Sequence, residues 1–314
     1  MPARLGGGVI AGADAAGITR PGELGERIGP LPAAYAVGVH VSEPGTRWAV
    51  PDARELALRI RLRAVRMVAA LGMGYLGQAL SSAEQVAAVF ACARPGVDRL
   101  VCSPGHYVIG PFAAAAELGL LDEDLVAGYG QDGSVVEAIG TERSPVVDYT
   151  CGSLGQGLSA ALGFALADRF RGSDARIFTM VSDGELEEGQ VWEAAMFAAH
   201  HRLDRLVVLL DANNSQVDGP VDRITTIEPI AAKWAAFGWH ARDLDGHDVD
   251  AVCGALSDAD RVAGRPSVLI CRTSTRHGLD CLPPDADGHF IKLPPELAQA
   301  AVAELTGKLE ALRA

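Results

Sequence analysis

The chain has 314 residues, 49% of them hydrophobic and 21% charged, with 40 acidic side chains against 27 basic ones and a net charge of −13. The composition is that of a globular protein rather than a disordered or fibrous one. The negative balance argues against nucleic acid or an anionic membrane as partner, since both need a basic face. No uninterrupted apolar run could span a bilayer.

Six cysteines (Cys92, Cys102, Cys151, Cys253, Cys271, Cys281) lie scattered without a CxxC pair, so neither a zinc site nor a disulfide framework is expected. The start lacks a basic segment followed by an apolar core, so a secretory signal is not expected and a cytoplasmic protein with reduced thiols is.

Residues 1–50 are rich in Gly, Ala and Pro with little periodicity, an extension that is either flexible or wrapped over a neighbour. The remainder, 51–314, reads as one α/β domain. Pro51 opens a helix to about Leu71, with Leu56, Ile60, Leu62, Val65 and Val68 on its apolar face and arginines on the other. A glycine-rich loop, Gly72 to Gln78, follows. Ser81-Ser82-Ala83-Glu84 then has the spacing of a capping box and predicts a helix start there.

Arg99 to Cys102 is a short strand running into Ser103-Pro104-Gly105-His106. Gly128 to Thr150 reads as loop. Thr150-Cys151-Gly152-Ser153-Leu154-Gly155-Gln156-Gly157-Leu158 is a second glycine-rich segment opening a helix over 159–169. Free amides at such a helix start favour an anion. The ordered GxGxxG of a dinucleotide site is missing.

The stretch from Arg176 to Pro220 is the most informative. Arg176 to Val181 is an apolar strand broken by Ser182-Asp183-Gly184. Gln190 to His201 has apolar residues at helical spacing, and Leu206 to Leu210 is a second strand ending in Asp211-Ala212-Asn213-Asn214. Two apolar strands joined by one helix make a βαβ unit with a parallel sheet, both turns at its carboxyl edge, where ligands bind in open α/β sheets. Asp183 and Asn213, thirty residues apart, are thereby brought side by side. One carboxylate and one amide oxygen, with no Cys or His nearby, suit a hard cation such as Mg²⁺ or Ca²⁺. Glu185, Glu187 and Glu188 read as a solvated acidic first turn that complements a helix dipole.

Ile227 to Phe237 is predicted helical, Trp239 to Asp243 strand, Asp248 to Gly264 helical and Ser267 to Arg272 strand. A Pro/Gly/Asp loop, Thr273 to Leu293, holds His277 and His289, and Pro294-Pro295-Glu296 starts a last helix ending near Leu312.

Asp-Gly followed by an acidic segment and an Asn about thirty residues on resembles the thiamine-diphosphate fingerprint. The filling, EGQVWEAAMFAAHHRLDRLVVLLDANNSQVDG, and the segment GSLGQGLSAALGFALA resemble transketolase in particular, over roughly residues 52–300. The resemblance implies a parallel sheet flanked by helices on both faces, the diphosphate-binding domain of that fold. It implies that Asp183, Asn213 and the backbone carbonyl of Ser215 hold Mg²⁺ (or Ca²⁺), that Gly184 lets the backbone approach the diphosphate, and that Gly152, Ser153 and Leu154 contact thiamine diphosphate. By the same likeness His106 and His289 lie at the cofactor, and Glu188 lies at a subunit interface as a candidate proton relay.

Two departures stand out. Tyr75 replaces the histidine of the family's first Gly-His-Pro-Gly segment, and Val136 to Gly140 replaces the second Gly-His-Pro. An altered donor or acceptor is the expectation. The resemblance covers only the diphosphate half, so it implies a partner chain with the pyrimidine-binding domain and its activating glutamate, in an assembly such as α₂β₂. The activity implied is transfer of a two-carbon ketol unit from a ketose-type donor to an aldehyde. A pyruvate-using carboligase, a 2-oxo-acid dehydrogenase-like subunit and a non-catalytic scaffold subunit are the other readings.

Overall fold

A computed structural model describes residues 47–314; the greater part of the N-terminal extension, 1–46, lies outside the described residues. Trp48, just inside them, stacks on Phe90 with ring centroids 4.8 Å apart.

Helix α1 (Ala53–Ala69) begins where Asp52 accepts a hydrogen bond from the Arg54 amide at 2.8 Å, an N-cap satisfying one otherwise orphaned donor. It buries Leu56, Ile60, Val65 and Val68. A two-residue strand β1 (Met73–Gly74) leads into α2 (Leu76–Cys92). Then come β2 (Arg99–Pro104), a 3₁₀ turn Gly105–Tyr107, α3 (Ile109–Glu117), α4 (Glu123–Ala127), β3 (Tyr149–Cys151) and α5 (Gln156–Phe170). The second half runs β4 (Ile177–Ser182), a 3₁₀ turn Gly184–Glu187, α6 (Gly189–His200), β5 (Leu206–Ala212), α7 (Val221–Ile224), α8 (Ile230–Ala236), β6 (His240–Asp245), α9 (Val249–Ala259), β7 (Ser267–Arg272), β8 (Ile291–Lys292) and α10 (Pro295–Arg313).

Six strands form one sheet in the order β3-β2-β4-β5-β7-β6, every pair parallel, as the βαβ pattern predicts. Its core divides between two faces by strict alternation: Phe178, Met180, Val207 and Leu209 belong to one cluster with α1, α2, α9 and α10, whereas Ile177, Val181, Leu206, Val208 and Leu210 belong to another with α5, α6 and Trp234. From β2 the chain goes to β3 on one side and then to β4 on the other. This puts a topological switch point between β2 and β4, with His106 and Asp183 just past their carboxyl ends. No described helix is long and apolar enough to cross a membrane.

Several local expectations are corrected. The second helix starts at Leu76, not Ser81, so no capping box forms; Ser81 and Ser82 are buried inside it, and Ser82 donates back to the Gln78 carbonyl at 2.6 Å. Every residue from Leu76 to Phe90 is buried, and a helix enclosed on all sides has no apolar stripe by which to locate its start. Arg61, expected on the polar face of α1, is 1% exposed and donates two hydrogen bonds of 2.6 Å to Glu84. Tyr149–Cys151, where the predicted loop meets the glycine-rich segment, is the edge strand β3. Helix α8 starts only after Pro229, and α9 ends at Ala259, with Asp248 capping it through the amides of Asp250 and Ala251.

Candidate active site

Residues Ser182 and Asp211 are aligned in the parallel register of β4 and β5, so the two chain exits lie side by side. The Asp183 amide donates to the Asp211 main-chain carbonyl at 3.1 Å. The Asp183 carboxylate accepts the Gly184 amide at 2.9 Å and the Asn214 amide at 2.6 Å. Asp183 is 2% exposed; burial, and then the charge of Asp211, push its carboxyl up to about 7. No basic side chain bonds it among the described residues. Asn213 presents its Oδ1 to the Ser215 amide at 2.9 Å, while its Nδ2 is turned inward to Asp211 Oδ2 at 2.8 Å and the Tyr107 hydroxyl at 2.9 Å. Gly184 keeps the turn open: a Cβ there would come within 3.3 Å of the Gln216 Cβ.

Next to this pair is a ring cluster from three separate segments. His106, on the 3₁₀ turn after β2, lies 5.0 Å from His289 and 5.0 Å from Tyr75 between ring centroids. Phe290 closes the far side of Tyr75 at 5.1 Å. Gln78 Nε2 donates to His289 Nδ1 at 3.1 Å, which places the ring proton on Nε2. The glycines permit the approach. A Cβ on Gly77 would meet the Gly288 carbonyl oxygen at 1.9 Å, and one on Gly105 would meet the Cys151 carbonyl at 2.6 Å. Burial pushes His106 down to about 3, with His289 adding to the shift, and burial also lowers His289. Both rings are therefore neutral at neutral pH. Gln78 Oε1 is buried without a partner among the described residues, an acceptor that a bound polar group would satisfy.

The model of the transketolase thiamine diphosphate binding domain matches residues 53–293. The 6-deoxy-6-sulfo-D-fructose transketolase subunit SqwG of a Clostridium species is 38% identical over 264 residues, 81% of this chain and 96% of that protein.

The chain belongs to the transketolase family.

Human transketolase-like protein 2 is 33% identical over 267 residues, but those are only 43% of its length. The crystal structure of transketolase from Campylobacter jejuni superposes with a TM-score of 0.74 at 25% identity, covering 81% of this chain and 42% of that one. Against full-length transketolases, then, the chain spans less than half; against the sulfofructose transketolase subunit it spans nearly all.

Within this transketolase domain the remaining predicted residues fall on one rim. Gly152 and Ser153 are exposed, Leu154 half-buried, in the turn between β3 and α5. Gly155 has φ +80°, and a Cβ there would lie 2.9 Å from the Glu188 Cβ, so the glycine turn rests on Glu188. Glu188 itself is exposed.

The acidic turn is only partly solvated. Glu187 and Glu188 face out, but Glu185 is fully buried, a correction to the expected solvated run. Its carboxyl accepts from the Ser103 hydroxyl at 2.5 Å, the Gly155 amide at 2.7 Å and the Ser182 amide at 3.1 Å, joining the ends of β2 and β4 to the glycine turn. Burial pushes it up to about 7. Asp211, Tyr107 and Gln78 carry no role in the sequence reading, and Glu185 appears there only within the acidic turn. The one local signal is for Asp211, an acid closing the apolar run of β5.

His277 is not part of the ring cluster. It stacks on His247 at 3.6 Å with planes 10° apart, and ligand atoms of Glu84, His247 and His277 lie within 4.8 Å of one another. We assign no metal there. Glu84 is already held by Arg61, and His247 Nε2 accepts the Ser274 amide, which puts its proton on Nδ1 toward Glu84. In-plane lone pairs of two parallel stacked rings cannot meet on one ion.

Proposed function

We propose that this chain is the diphosphate-binding subunit of a two-chain, thiamine-diphosphate-dependent transketolase-like enzyme that transfers a two-carbon ketol unit from a ketose-type donor to an aldehyde. The observation that carries this is the pair of turns past β4 and β5: the Asp183 carboxylate holds the Asn214 amide, while the Asn213 amide keeps its nitrogen on Asp211 and Tyr107 and its Oδ1 on the Ser215 side. That donor set, all oxygen, fits Mg²⁺ or Ca²⁺: Asp183, Asn213 Oδ1 and the Ser215 carbonyl would hold the ion, and Gly184 would leave the diphosphate side of the turn bare. Gly152, Ser153 and Leu154 would line the cofactor from the glycine turn, and the buried Gln78 Oε1 is an acceptor waiting for a polar group. Thiamine diphosphate, when bound, supplies the electron sink for cleaving the carbon–carbon bond beside a ketone.

The chain's own part is orientation and hydrogen bonding. His106 and His289, both neutral, would present N–H donors to anionic or hydroxyl oxygens without adding charge. Glu188, exposed beside the glycine turn, would face the partner subunit as a relay. The partner, a pyrimidine-binding transketolase-like chain, would supply the activating glutamate in an α₂β₂ assembly. Two features support a donor other than the usual pentose phosphate. Tyr75 occupies the cluster where the family has a histidine, and a phenol can donate a hydrogen bond but cannot exchange a proton near neutral pH. The relative named above acts, by its name, on a sulfonated ketose. We place the assembly in the cytoplasm, in keeping with six thiols that form no disulfide in the structure.

Calorimetric titration of thiamine diphosphate with Mg²⁺, on this chain alone and with the candidate partner, tests the reading. Tight binding only in the complex, abolished by Asp183→Ala, is expected; absence of binding in both would sink it and favour a scaffold subunit. Efficient turnover of xylulose 5-phosphate in preference to a sulfonated ketose would refute the altered donor alone.

A further inference from the structure

Asp211 ends β5, is 1% exposed, and lies two positions before Asn213. Its two carboxylate oxygens accept five hydrogen bonds. Oδ2 takes the Ser81 hydroxyl at 2.5 Å, the Tyr107 hydroxyl at 2.9 Å and Asn213 Nδ2 at 2.8 Å. Oδ1 takes Gln85 Nε2 at 3.0 Å and the Thr273 hydroxyl at 2.5 Å. The donors come from α2, from the turn that carries His106, from the loop after β7 and from the Asn itself. All are neutral. No lysine or arginine among the described residues bonds either Asp211 or its buried neighbour Asp183.

A buried carboxylate without a countercharge is costly, and five donors exceed what closing a strand end requires. The excess has a geometric result. A carboxylate cannot donate, so it can face only the nitrogen of the Asn213 amide. Tyr107 and Ser81 face the same nitrogen, with Ser81 Oγ at 3.3 Å. The amide is thereby fixed in one of its two orientations, with Oδ1 on the side of the Ser215 amide. From this geometry we infer that Asp211 is a positioning residue: it locks the Asn213 amide so that Oδ1 is offered to the cation of the diphosphate site, and through Tyr107 it ties that lock to the segment carrying His106. The inference rests on the reading of Asp183 and Asn213 as cation ligands. Outer-sphere partners of this kind orient ligands in metal sites generally, and their loss costs about 10–100-fold in metal affinity.

The test compares wild type, Asp211→Asn and Tyr107→Phe. Calcium affinity is measured calorimetrically on the two-chain complex with saturating thiamine diphosphate. In parallel, the Asn213 side-chain amide resonances are followed on the full chain without metal, assigned by their loss in Asn213→Asp. Asp211→Asn, whose own amide can turn either way, should weaken calcium binding about 10–100-fold and shift or split the Asn213 resonances. Tyr107→Phe, removing the hydroxyl that donates to Asp211 and accepts from Asn213 Nδ2, should weaken it about two- to tenfold. Calcium affinity within a factor of two of wild type, with the resonances unmoved, would overturn the inference. Should Asp211→Asn not fold, an unchanged affinity and spectrum in Tyr107→Phe overturns it equally. Should the wild-type complex take up no calcium, the cation-site reading falls, and the metal-free resonances still decide whether Asp211 sets the amide.

Discussion

Gly77 and Gly288 touch backbone to backbone: a Cβ on Gly77 would lie 1.9 Å from the Gly288 carbonyl oxygen and 3.1 Å from the Thr275 Cβ. The contact seats the loop that ends β7's excursion directly over the start of α2, and so brings His289 onto Gln78. Gly77→Ala should force that loop outward. We expect a stability loss of about 1–3 kcal/mol, the usual cost of overpacking, read from urea midpoints. A displacement of His289 of about 1 Å should lower the activity of the complex on the order of 10²-fold. Unchanged turnover would show that His289 is not needed where the contact places it.

Burial keeps His106 neutral, and the sign of its pH effect follows. Its folded value, about 3, lies below the ordinary 6.5, so the unfolded chain takes the proton first. The stability tied to this ring is fully present above pH 6.5 and is lost as the pH falls from 6.5 toward 3. The His106 Cε1 proton shift should stay flat between pH 8 and pH 5. In His106→Gln, stability should fall less steeply over the acid range. A titration midpoint near 6 would refute the buried, neutral ring.

Glu185 holds three strand and turn ends together with one carboxyl group. In Glu185→Gln, whichever way the amide turns, its NH₂ faces a backbone amide donor and leaves that group unsatisfied. A loss of about 1–3 kcal/mol is expected by denaturant unfolding, with faster hydrogen exchange at Gly155. A neutral result would mean that the three donors find other partners.

The pair formed by Arg61 and Glu84 is 1% and 4% exposed. Burial alone would raise the Glu84 carboxyl, but Arg61 and His247 hold it down at about 2. Glu84→Gln should cost about 3–5 kcal/mol by stranding a buried guanidinium. The double variant Arg61→Met with Glu84→Leu should recover most of that loss, because it removes both desolvated charges. Equal losses in the single and double variants would show that packing, not charge, is at stake.

The parallel sheet, the glycine-rich turns and the adjacency of Asp183 and Asn213 are legible in the residues alone. Apolar strand runs and the helical spacing between them are local signals, and a βαβ unit leaves its two turns only one place to meet. Which polar residues are buried, and what they touch, is set by the closed fold. Gln78 and His289 are 211 positions apart, Ser81 and Asp211 are 130, and Ser103 and Glu185 are 82. Glu185 and Glu188 stand in the same acidic run, yet one is enclosed and the other exposed, because a 3₁₀ turn points the first under the glycine loop. Helix α2 hid its own start for a related reason: surrounded on every side, it carries no polar face to mark where solvent ends. Such contacts join chain segments that no local pattern links, and burial assigns a carboxylate its role only once those segments have closed around it.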